Sequence, residues 1–484
     1  MGGFAGQRRP LDVALPLYLA EPESDAVRAT AALGHCLVTG AAGFLGMHLV
    51  AELLRRGLRV RGFDLAPPPL RHAHYEHIEG DVRSLEALRK ACIGVDTVFH
   101  TAAVLDFARF APAARRELSY AVNVRGVENL VRAAREAGAL RLVHTSSNNV
   151  TFDAPVIDGD ESTPYAARTR DLYTETKILG EQVALAASGH GGLLTCAIRP
   201  GGIYGPGESL VFPRVIDECA RGRYIAKIGD SSALSDNTYI DNLVDGEIEA
   251  ARHLLPGSPV CGEAYFITDG HPINYFEFFR PVVEALGFTH PRRSVPAGVV
   301  RTTMTVWELF HFWLAPLGWP RPPLLALEAR KITLSHYSRI DKARRDFGWQ
   351  PVVSPEAAIA RMLEPCRRLL AGHERVTRPH PAWWIAILSG MGLLGVLALS
   401  PGAHALWQSW IGPFPPRPLL LGVFAWALGL HLWRALRAVQ LAERLGLSRT
   451  ALAWGWQTFL LGFASLRLLE RRAEENRSEP AGRS

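Results

Sequence analysis

At 484 residues the chain is long enough for more than one domain, and its 48% hydrophobic and 21% charged residues exclude a globally disordered protein. The net charge of +6, from 53 basic and 47 acidic residues, is too small and too scattered for a nucleic-acid-binding surface, so no nucleic-acid partner is predicted. The six cysteines form no CxxC pair, so neither a disulfide framework nor a zinc site is expected, and no metal site is predicted.

A glycine-rich turn lies early in the chain, in the segment HCLVTGAAGFLGMHLVAELLRRGLRVRGFD. Gly40, Gly43 and Gly46 follow a short apolar run at GxxGxxG spacing, a helical pattern continues to Gly57, and a second apolar run ends at Asp64. This pattern predicts a β-α-β unit. Small residues in such a turn let backbone N–H groups at the helix N-terminus approach a pyrophosphate, so the segment predicts a dinucleotide-binding turn.

The acidic residue at the end of the second run indicates which dinucleotide is bound. A carboxylate at Asp64 can accept hydrogen bonds from both hydroxyls of the adenosine ribose, and it would repel a 2′-phosphate. Leu65 and Ala66, which follow it, offer no arginine to hold such a phosphate. NAD is therefore predicted rather than NADP.

Hydroxyl, phenol and ammonium groups form the predicted catalytic set. An apolar run ends in Ser147, with Ser146 and Thr145 as alternatives, and Tyr173 and Lys177 later share one helix face at i, i+4 spacing. A free phenol has a pKa of about 10 and is a weak base at neutral pH, but a neighbouring ammonium stabilises the phenolate. Tyr173 is thus predicted to be the proton acceptor for an alcohol, and Ser147 to orient the alcohol oxygen.

Further segments are predicted to line the cofactor site. They are an acidic residue after another strand-like stretch, a buried run that opens onto small residues, and the glycine- and proline-rich loop within residues 193–208. His100 in the buried run is interpreted as structural, and Asn123 is left open between a direct and a structural role. The predicted cofactor contacts are Gly40, Gly43, Phe44, Leu45, Gly46, Asp64, Asp81, Val82, Thr101, Ala102, Ala103, Tyr173, Lys177, Pro200 and Gly201.

The C-terminal region has the composition of a membrane tail. Residues 383–400 and 418–433 are uncharged apolar runs close to the length of a spanning helix, and the segment between them is rich in Pro, Gly and Trp, which predicts a turn. Arginines flank the pair at Arg375, Arg378, Arg434, Arg437, Arg444 and Arg449, so both ends of the hairpin are predicted to face the cytoplasm. A third run, 451–466, is left open between an interfacial and a packed position. The alternative is that all three runs are buried helices of a soluble domain.

These features predict three parts: an N-terminal extension over 1–33 that is not a signal peptide, a dinucleotide-binding domain over 34–375, and a membrane-associated helical tail over 376–484. Within the second part, the aromatic-rich segment 295–320 is equally compatible with a core position and with contact to a bilayer. Contact would let an apolar substrate enter without crossing water.

The quoted motifs carry a family resemblance. VTGAAGFLG, the SS…YxxxK set, IRPGGIYGPG and NTYIDNLVDG resemble an extended short-chain dehydrogenase/reductase over residues 34–370. YTETKILGEQ, TCAIRPGGIYGPGE and GEAYFITDGHPINYFEFF are most similar to the 3β-hydroxysteroid dehydrogenase family, and within it to the sterol-4α-carboxylate 3-dehydrogenases (decarboxylating).

The resemblance implies a Rossmann-type doubly wound parallel sheet that carries NAD, with a small C-terminal substrate lobe over about residues 200–370, and it is compatible with a homodimer. It implies oxidation of the 3β-hydroxyl of a steroid or sterol, with loss of CO2 if the substrate carries a 4-carboxylate. Ser147, Tyr173 and Lys177 take the catalytic positions of the family motif. Two other enzyme classes stay open, a reductase of 2-alkyl-3-oxoalkanoates and a sugar-nucleotide epimerase or dehydratase, as does an NAD-binding protein without turnover.

Overall fold

The computed structural model describes residues 31–108, 110–169, 171–314, 322–371, 379–444 and 450–478. The chain divides into two compact units, Met1–Arg368 and Leu369–Ser484, and each is described by itself. Most of the predicted N-terminal extension lies outside the described residues, as do Arg375, Arg378 and Arg449.

Strands and helices alternate through most of the first unit. Its strands are β1 (Cys36–Thr39), β2 (Val60–Asp64), β3 (Tyr75–Glu79), β4 (Thr97–His100), β5 (Arg141–Thr145), β6 (Val156–Gly159), β7 (Leu194–Pro200), β8 (Gly202–Tyr204), β9 (Ala226–Ile228), β10 (Asn237–Tyr239), β11 (Ala264–Ile267), β12 (Arg293–Val295) and β13 (His336–Ser338). Its helices are α1 (Phe44–Arg55), α2 (Leu85–Cys92), α3 (Ala113–Tyr120), α4 (Gly126–Glu136), α5 (Leu172–Ala186), α6 (Phe212–Ala220), α7 (Ile240–His253), α8 (Tyr275–Ala285), α9 (Ala297–Leu314), α10 (Ala326–Thr333), α11 (Asp341–Phe347) and α12 (Pro355–Ala371).

Seven of the strands form one parallel sheet, in the order β11-β7-β5-β4-β1-β2-β3. The residues of β1, β4 and β5 are all buried, as expected when helices cover both faces of a parallel sheet. The strand order reverses direction between β1 and β4, and ligands of such sheets bind in the crevice outside the carboxyl ends of the strands at that point. The sheet confirms the predicted doubly wound α/β fold.

Shorter strands pair beyond the main sheet. They form three two-stranded parallel sheets, β10-β8, β12-β9 and β13-β6. After the β12-β9 pair the chain enters α9, which packs against α10. Glu308 on α9 is buried and accepts a hydrogen bond from the backbone N–H of Ala326, the first residue of α10, at 3.2 Å. These elements follow the carboxyl ends of the large sheet's later strands in the chain, where the sequence predicts the substrate lobe.

One face of α9 is apolar and open to the surroundings. Val299, Val306, Leu309, Phe310 and Trp313 recur at helical spacing and are all exposed, Trp313 to 68%. They therefore do not form a core. Phe312 points differently and has its ring centroid 6.1 Å from that of Phe110.

The second unit is helical. Its helices are α13 (Pro381–Leu399), α14 (Pro401–Trp410), α15 (Arg417–Arg444), α16 (Ala451–Leu461) and α17 (Phe463–Ser478). Within the described residues, two helices are long and apolar enough to cross a membrane, Pro381–Leu399 and Arg417–Glu443, and only 11% of the apolar window of each is buried. Such exposure does not fit the core helices of a soluble domain.

The segment between the two apolar runs differs from the prediction. Its content of proline and glycine predicts a turn, but residues 401–410 of this segment form the helix α14. Pro401 stands in the first turn of α14, where its missing N–H costs nothing, and the Ser400 hydroxyl caps the helix by accepting from Ala403 N. The third run also divides, because Gly462 at φ +54° ends α16 before α17 begins.

Candidate active site

The backbone of the glycine-rich turn leaves no room for a side chain at two of its glycines. Gly40 has φ +73°, and a Cβ there would lie 2.7 Å from the backbone N of Ala102. A Cβ on Gly46 would lie 2.1 Å from the carbonyl oxygen of Gly40. Both positions therefore require glycine. The helix α1 begins at Phe44, within this turn, so the unpaired N–H groups of its first turn are available to a phosphate there.

Asp64 lies against this turn, at the carboxyl end of β2. Its Oδ2 accepts a hydrogen bond from Ala42 N at 3.0 Å and its Oδ1 accepts from Leu65 N at 2.7 Å. A carboxylate has about four acceptor sites, so both oxygens keep capacity for ribose hydroxyls. The small-residue cradle and this carboxylate fit the diphosphate and adenosine ribose of a nicotinamide dinucleotide.

The other predicted cofactor contacts lie at the carboxyl ends of neighbouring strands. Thr101 donates its hydroxyl to Thr39 O at 2.8 Å, and Gly201 N donates to the Thr238 hydroxyl at 2.8 Å. Asp81 is paired with Arg83 at 2.5 Å, which lowers the pKa of its carboxyl. The side chain of Val82 belongs to the hydrophobic core.

The three predicted catalytic residues come together at the start of α5. Asp171 caps this helix by accepting from Thr174 N at 2.8 Å, which fixes Tyr173 in its first turn. Tyr173 is buried, and the Ser147 hydroxyl lies close enough to its phenol to act on its pKa. One turn later Lys177 donates from Nζ to the carbonyl oxygen of Thr145 at 2.5 Å.

The alternatives to Ser147 have other surroundings. The Thr145 hydroxyl donates to Glu247 Oε1 at 2.6 Å. The Ser146 hydroxyl is buried with no hydrogen-bond partner among the described residues. Ser147 is therefore the member of this group whose hydroxyl lies next to Tyr173.

Burial acts on both ionisable members of the set. It raises the pKa of Tyr173 to about 12, and the nearby Ser147 hydroxyl acts in the opposite direction. It lowers the pKa of Lys177 to about 8, while Glu181 and Glu247 act to raise it. A phenol so placed becomes a base near neutrality only with positive charge beside it, which Lys177 and an oxidised nicotinamide can supply.

A histidine and an asparagine near the set make contacts within the protein. His100 Nδ1 lies 2.6 Å from the Thr39 hydroxyl, and burial holds the pKa of His100 at about 3, so its ring stays neutral. Asn123 accepts from Val104 N at 2.8 Å and donates to Val104 O and to the Thr176 hydroxyl. Its amide therefore fixes the loop after β4 against α5, which favours the structural interpretation of Asn123.

The structure also brings in residues that no sequence motif marks. Glu247 on α7 meets Thr145 across 102 positions of the chain. Lys331 on α10 lies with Nζ 5.9 Å from the ring centroid of Phe107, whose ring in turn packs edge-on against Tyr173 at 4.9 Å. The sequence shows each of them only as a charged residue within a helical pattern. Such residues usually lie in solvent, so this pattern does not single out Glu247 or Lys331.

Comparisons with known proteins place the first unit in a family. A family model described as 3-beta hydroxysteroid dehydrogenase/isomerase family matches residues 37–297. The chain is 44% identical over 338 residues to the 3 beta-hydroxysteroid dehydrogenase/Delta 5→4-isomerase of Mycobacterium tuberculosis, covering 69% of this chain and 90% of that protein. It is 34% identical over 363 residues to the 3beta-hydroxysteroid-dehydrogenase/decarboxylase isoform 1 of Arabidopsis thaliana, covering 71% of this chain and 82% of that protein.

Structural comparison and the tail agree with the predicted architecture. MoeE5 in complex with UDP-glucuronic acid and NAD superposes with a TM-score of 0.53 at 26% sequence identity, over 69% of this chain and 99% of that one. A family model described as Transmembrane protein 254 matches residues 382–471, which together with the two apolar helices indicates membrane association. The matches confirm the α/β fold with a helical tail and the predicted resemblance: the chain belongs to the 3-beta hydroxysteroid dehydrogenase/isomerase family.

Proposed function

We propose that this protein is a membrane-associated dehydrogenase that oxidises the 3β-hydroxyl of a steroid or sterol to a ketone with NAD. The observation that carries the proposal is the buried Tyr173 beside the Ser147 hydroxyl, with Lys177 one helical turn away and bonded to Thr145 O, at the carboxyl edge of a parallel sheet with a glycine-rich first turn. Relatives named as 3β-hydroxysteroid dehydrogenases at 34–44% identity favour this activity over sugar-nucleotide or oxoalkanoate chemistry.

The chain's own residues account for the proton transfer. Ser147 holds the alcohol oxygen beside Tyr173, the Tyr173 phenolate takes the hydroxyl proton, and the Lys177 ammonium stabilises that phenolate. The nicotinamide, when bound, supplies the acceptor for the hydride that leaves the alcohol carbon. Burial of the tyrosine and the lysine excludes water from the reacting atoms.

NAD is the proposed dinucleotide because Asp64 faces the turn as a carboxylate. Replacing Asp64 with asparagine keeps an oxygen that can accept from Ala42 N but removes the charge. The ratio of kcat/KM with NAD to kcat/KM with NADP is expected to fall about tenfold or more, since hydrogen bonds to a charged group contribute about 1.5–3 kcal/mol. Steady-state kinetics with both dinucleotides measures this ratio.

Asp81→Asn is the matched control for that substitution. The adenine that Asp81 is predicted to meet is common to NAD and NADP, so this change should affect both equally and leave the ratio unaltered. Equal use of the two dinucleotides by the unchanged protein would contradict the assignment of NAD.

A basic side chain over Phe107, the ring that packs against Tyr173, bears on the substrate class. Burial lowers the pKa of Lys331 to about 8, although Asp171 and Glu328 attract its charge. Those two acids have other partners, because Asp171 accepts twice from Thr174 and Glu328 pairs with Arg214 at 2.6 Å. Lys331 itself makes no ion pair within 4.0 Å among the described residues. A sterol with a carboxylate next to the reacting hydroxyl would supply the missing partner, which favours a 4-carboxysterol.

A substrate panel tests the function and the class together. Purified protein is mixed with NAD and a 3β-hydroxysteroid, a 4-carboxysterol, a 2-alkyl-3-hydroxy acid or a UDP-sugar, and NADH and CO2 are measured. Lys331→Met should lower kcat/KM for the carboxysterol about 10- to 100-fold, the loss of one hydrogen bond to a charged group, and change the plain steroid little.

Lys342→Met is the control for this change, because Lys342 is a lysine already paired with Glu263 at 2.5 Å. Turnover of the UDP-sugar alone would overturn the proposed function. Turnover of the plain steroid but not of the carboxysterol would keep the dehydrogenase and reject the carboxylated substrate.

The orientation in the membrane is also part of the proposal. Arg434 and Arg437 lie toward the C-terminal end of α15, beyond its apolar stretch, and by the positive-inside rule they favour a cytoplasmic position for that end. Arg417, at the opposite end of α15, donates to the carbonyl oxygens of Ala398 and Leu399, so its charge serves the C-terminus of α13. The catalytic unit is accordingly proposed to face the cytoplasm.

A further inference from the structure

Lys177 is surrounded by titratable groups from four elements. They are Tyr173 and Glu181 on α5, His144 on β5, His100 on β4 and Glu247 on α7. All are buried. A buried ammonium is unfavourable unless a negative charge lies near it, so the charge states of these neighbours decide whether Lys177 stays protonated.

The two histidines carry no charge at neutral pH. Burial, with a contribution from Lys177, holds the pKa of His100 at about 3 and the pKa of His144 well below its usual value. The rings lie 5.3 Å apart, and neither nitrogen of His144 has a hydrogen-bond partner among the described residues. They therefore neither repel nor balance the ammonium.

The charge of Glu181 is partly balanced. Its carboxylate pairs with Arg199 at 2.6 Å and accepts from the Tyr165 hydroxyl at 2.7 Å, and both members of the ion pair are buried. Glu181 acts together with Glu247 to raise the pKa of Lys177, but the guanidinium beside it offsets part of its field.

Glu247 has no ion-pair partner of this kind among the residues that the structure describes. Burial raises its pKa to about 7, while the Thr145 hydroxyl and Lys177 act to lower it, so Glu247 is ionised above neutral pH, where Lys177 titrates. It is fully buried, and no lysine, arginine or histidine of the described residues lies within 4.0 Å of it as an ion-pair partner. Oε1 accepts from the Thr145 hydroxyl at 2.6 Å, and Oε2 has no hydrogen-bond partner in the described part of the chain. The same Thr145 offers its carbonyl oxygen to Lys177 Nζ at 2.5 Å, so one residue contacts both the acid and the base.

We propose that Glu247 is the buried counter-charge of Lys177, a positioning residue that acts through Thr145 to keep the catalytic lysine protonated. The inference rests on the proposed function, in which the Lys177 ammonium stabilises the Tyr173 phenolate. The buried carboxylate and the buried ammonium each oppose the cost of desolvating the other. Without the carboxylate, the lysine loses its proton at a lower pH, and the tyrosine loses its activating charge.

Two substitutions separate a charge role from a packing role. Glu247→Gln keeps the size of the side chain and an oxygen for the Thr145 hydroxyl but removes the charge. Glu247→Asp keeps the charge but shortens the side chain. In the pH profile of kcat for alcohol oxidation, Gln should move the alkaline limb down by about one pH unit or more, while Asp should stay closer to the unchanged protein.

Glu249→Gln is the control on the same helix, since Glu249 pairs with Arg252 at 2.7 Å and does not face the active site. Its profile should not move. The opposite order, with Asp shifted and Gln unshifted, or two unshifted limbs, would overturn the proposal. Thermal unfolding of each variant shows whether a lost fold explains a loss of activity, and unlike the limb position it would move in a purely structural role.

A second measurement needs neither turnover nor cofactor. The protein is produced with ¹³C at lysine Cε, and the pH titration of the Lys177 signal, assigned with Lys177→Met, is followed by NMR. The pKa of Lys177 should fall by about one unit in Glu247→Gln. An unchanged pKa would reject the counter-charge, whereas a lowered pKa in a protein that oxidises no tested alcohol would reject only the proposed function.

Discussion

Replacing Tyr173 with phenylalanine is expected to lower kcat by about 10²–10⁴-fold, the usual contribution of a general base. The ring of Phe fills the same buried space and keeps the edge-on contact with Phe107 at 4.9 Å, so the fold should be retained. The substitution removes only the hydroxyl that lies next to Ser147 and is proposed to accept the proton of the alcohol. Steady-state oxidation measures kcat, and fluorescence titration with NADH shows that the dinucleotide still binds.

Tyr120→Phe is the matched control for this substitution. The Tyr120 hydroxyl donates to Glu175 on the same helix α5, so the change removes one tyrosine hydroxyl near the site without touching the catalytic set. It should leave kcat nearly unchanged. Full activity of Tyr173→Phe would show that another group takes the proton and would reject the mechanism.

Cysteine labelling should reveal an almost all-or-none difference between the segment that joins the two proposed membrane spans and the catalytic unit. Gln408 on α14 is exposed and lies between the two candidate spans, and Glu86 on α2 is exposed in the catalytic unit. In sealed vesicles with the cytoplasmic side inside, an impermeant maleimide should label Gln408→Cys. Glu86→Cys should react only after the vesicles are opened.

The native Cys261, which is only half-buried, is replaced by serine in both variants so that it adds no signal. The reverse pattern would invert the proposed orientation. Protection of both positions until the vesicles are opened would show that α14 does not reach the outer side.

The site motifs that the sequence alone identifies are local. The spacing of Gly40, Gly43 and Gly46 and the i, i+4 pair of Tyr173 and Lys177 are fixed by one turn and one helix, so they can be identified without knowing the rest of the fold. The alternation of strands and helices likewise predicts the parallel sheet.

Long-range partners could not be predicted in the same way. Glu247 reaches Thr145, and Lys331 reaches Phe107, only because the sheet brings distant segments together. The helix α14 is hard to predict for a different reason. Proline and glycine are common in turns, but Pro401 in a first helical turn, preceded by a capping serine, favours a helix start.

The apolar stripe of α9 bears on the measure of substrate concentration that governs the kinetics of this protein. It lies in the catalytic unit, so this unit carries an exposed apolar surface of its own, besides the two apolar helices of the tail. A sterol partitions almost wholly into bilayers, and an enzyme held at the same surface searches for it in two dimensions. Its saturation then depends on the mole fraction of sterol in the membrane, so that adding sterol-free vesicles lowers the rate at a constant total sterol concentration.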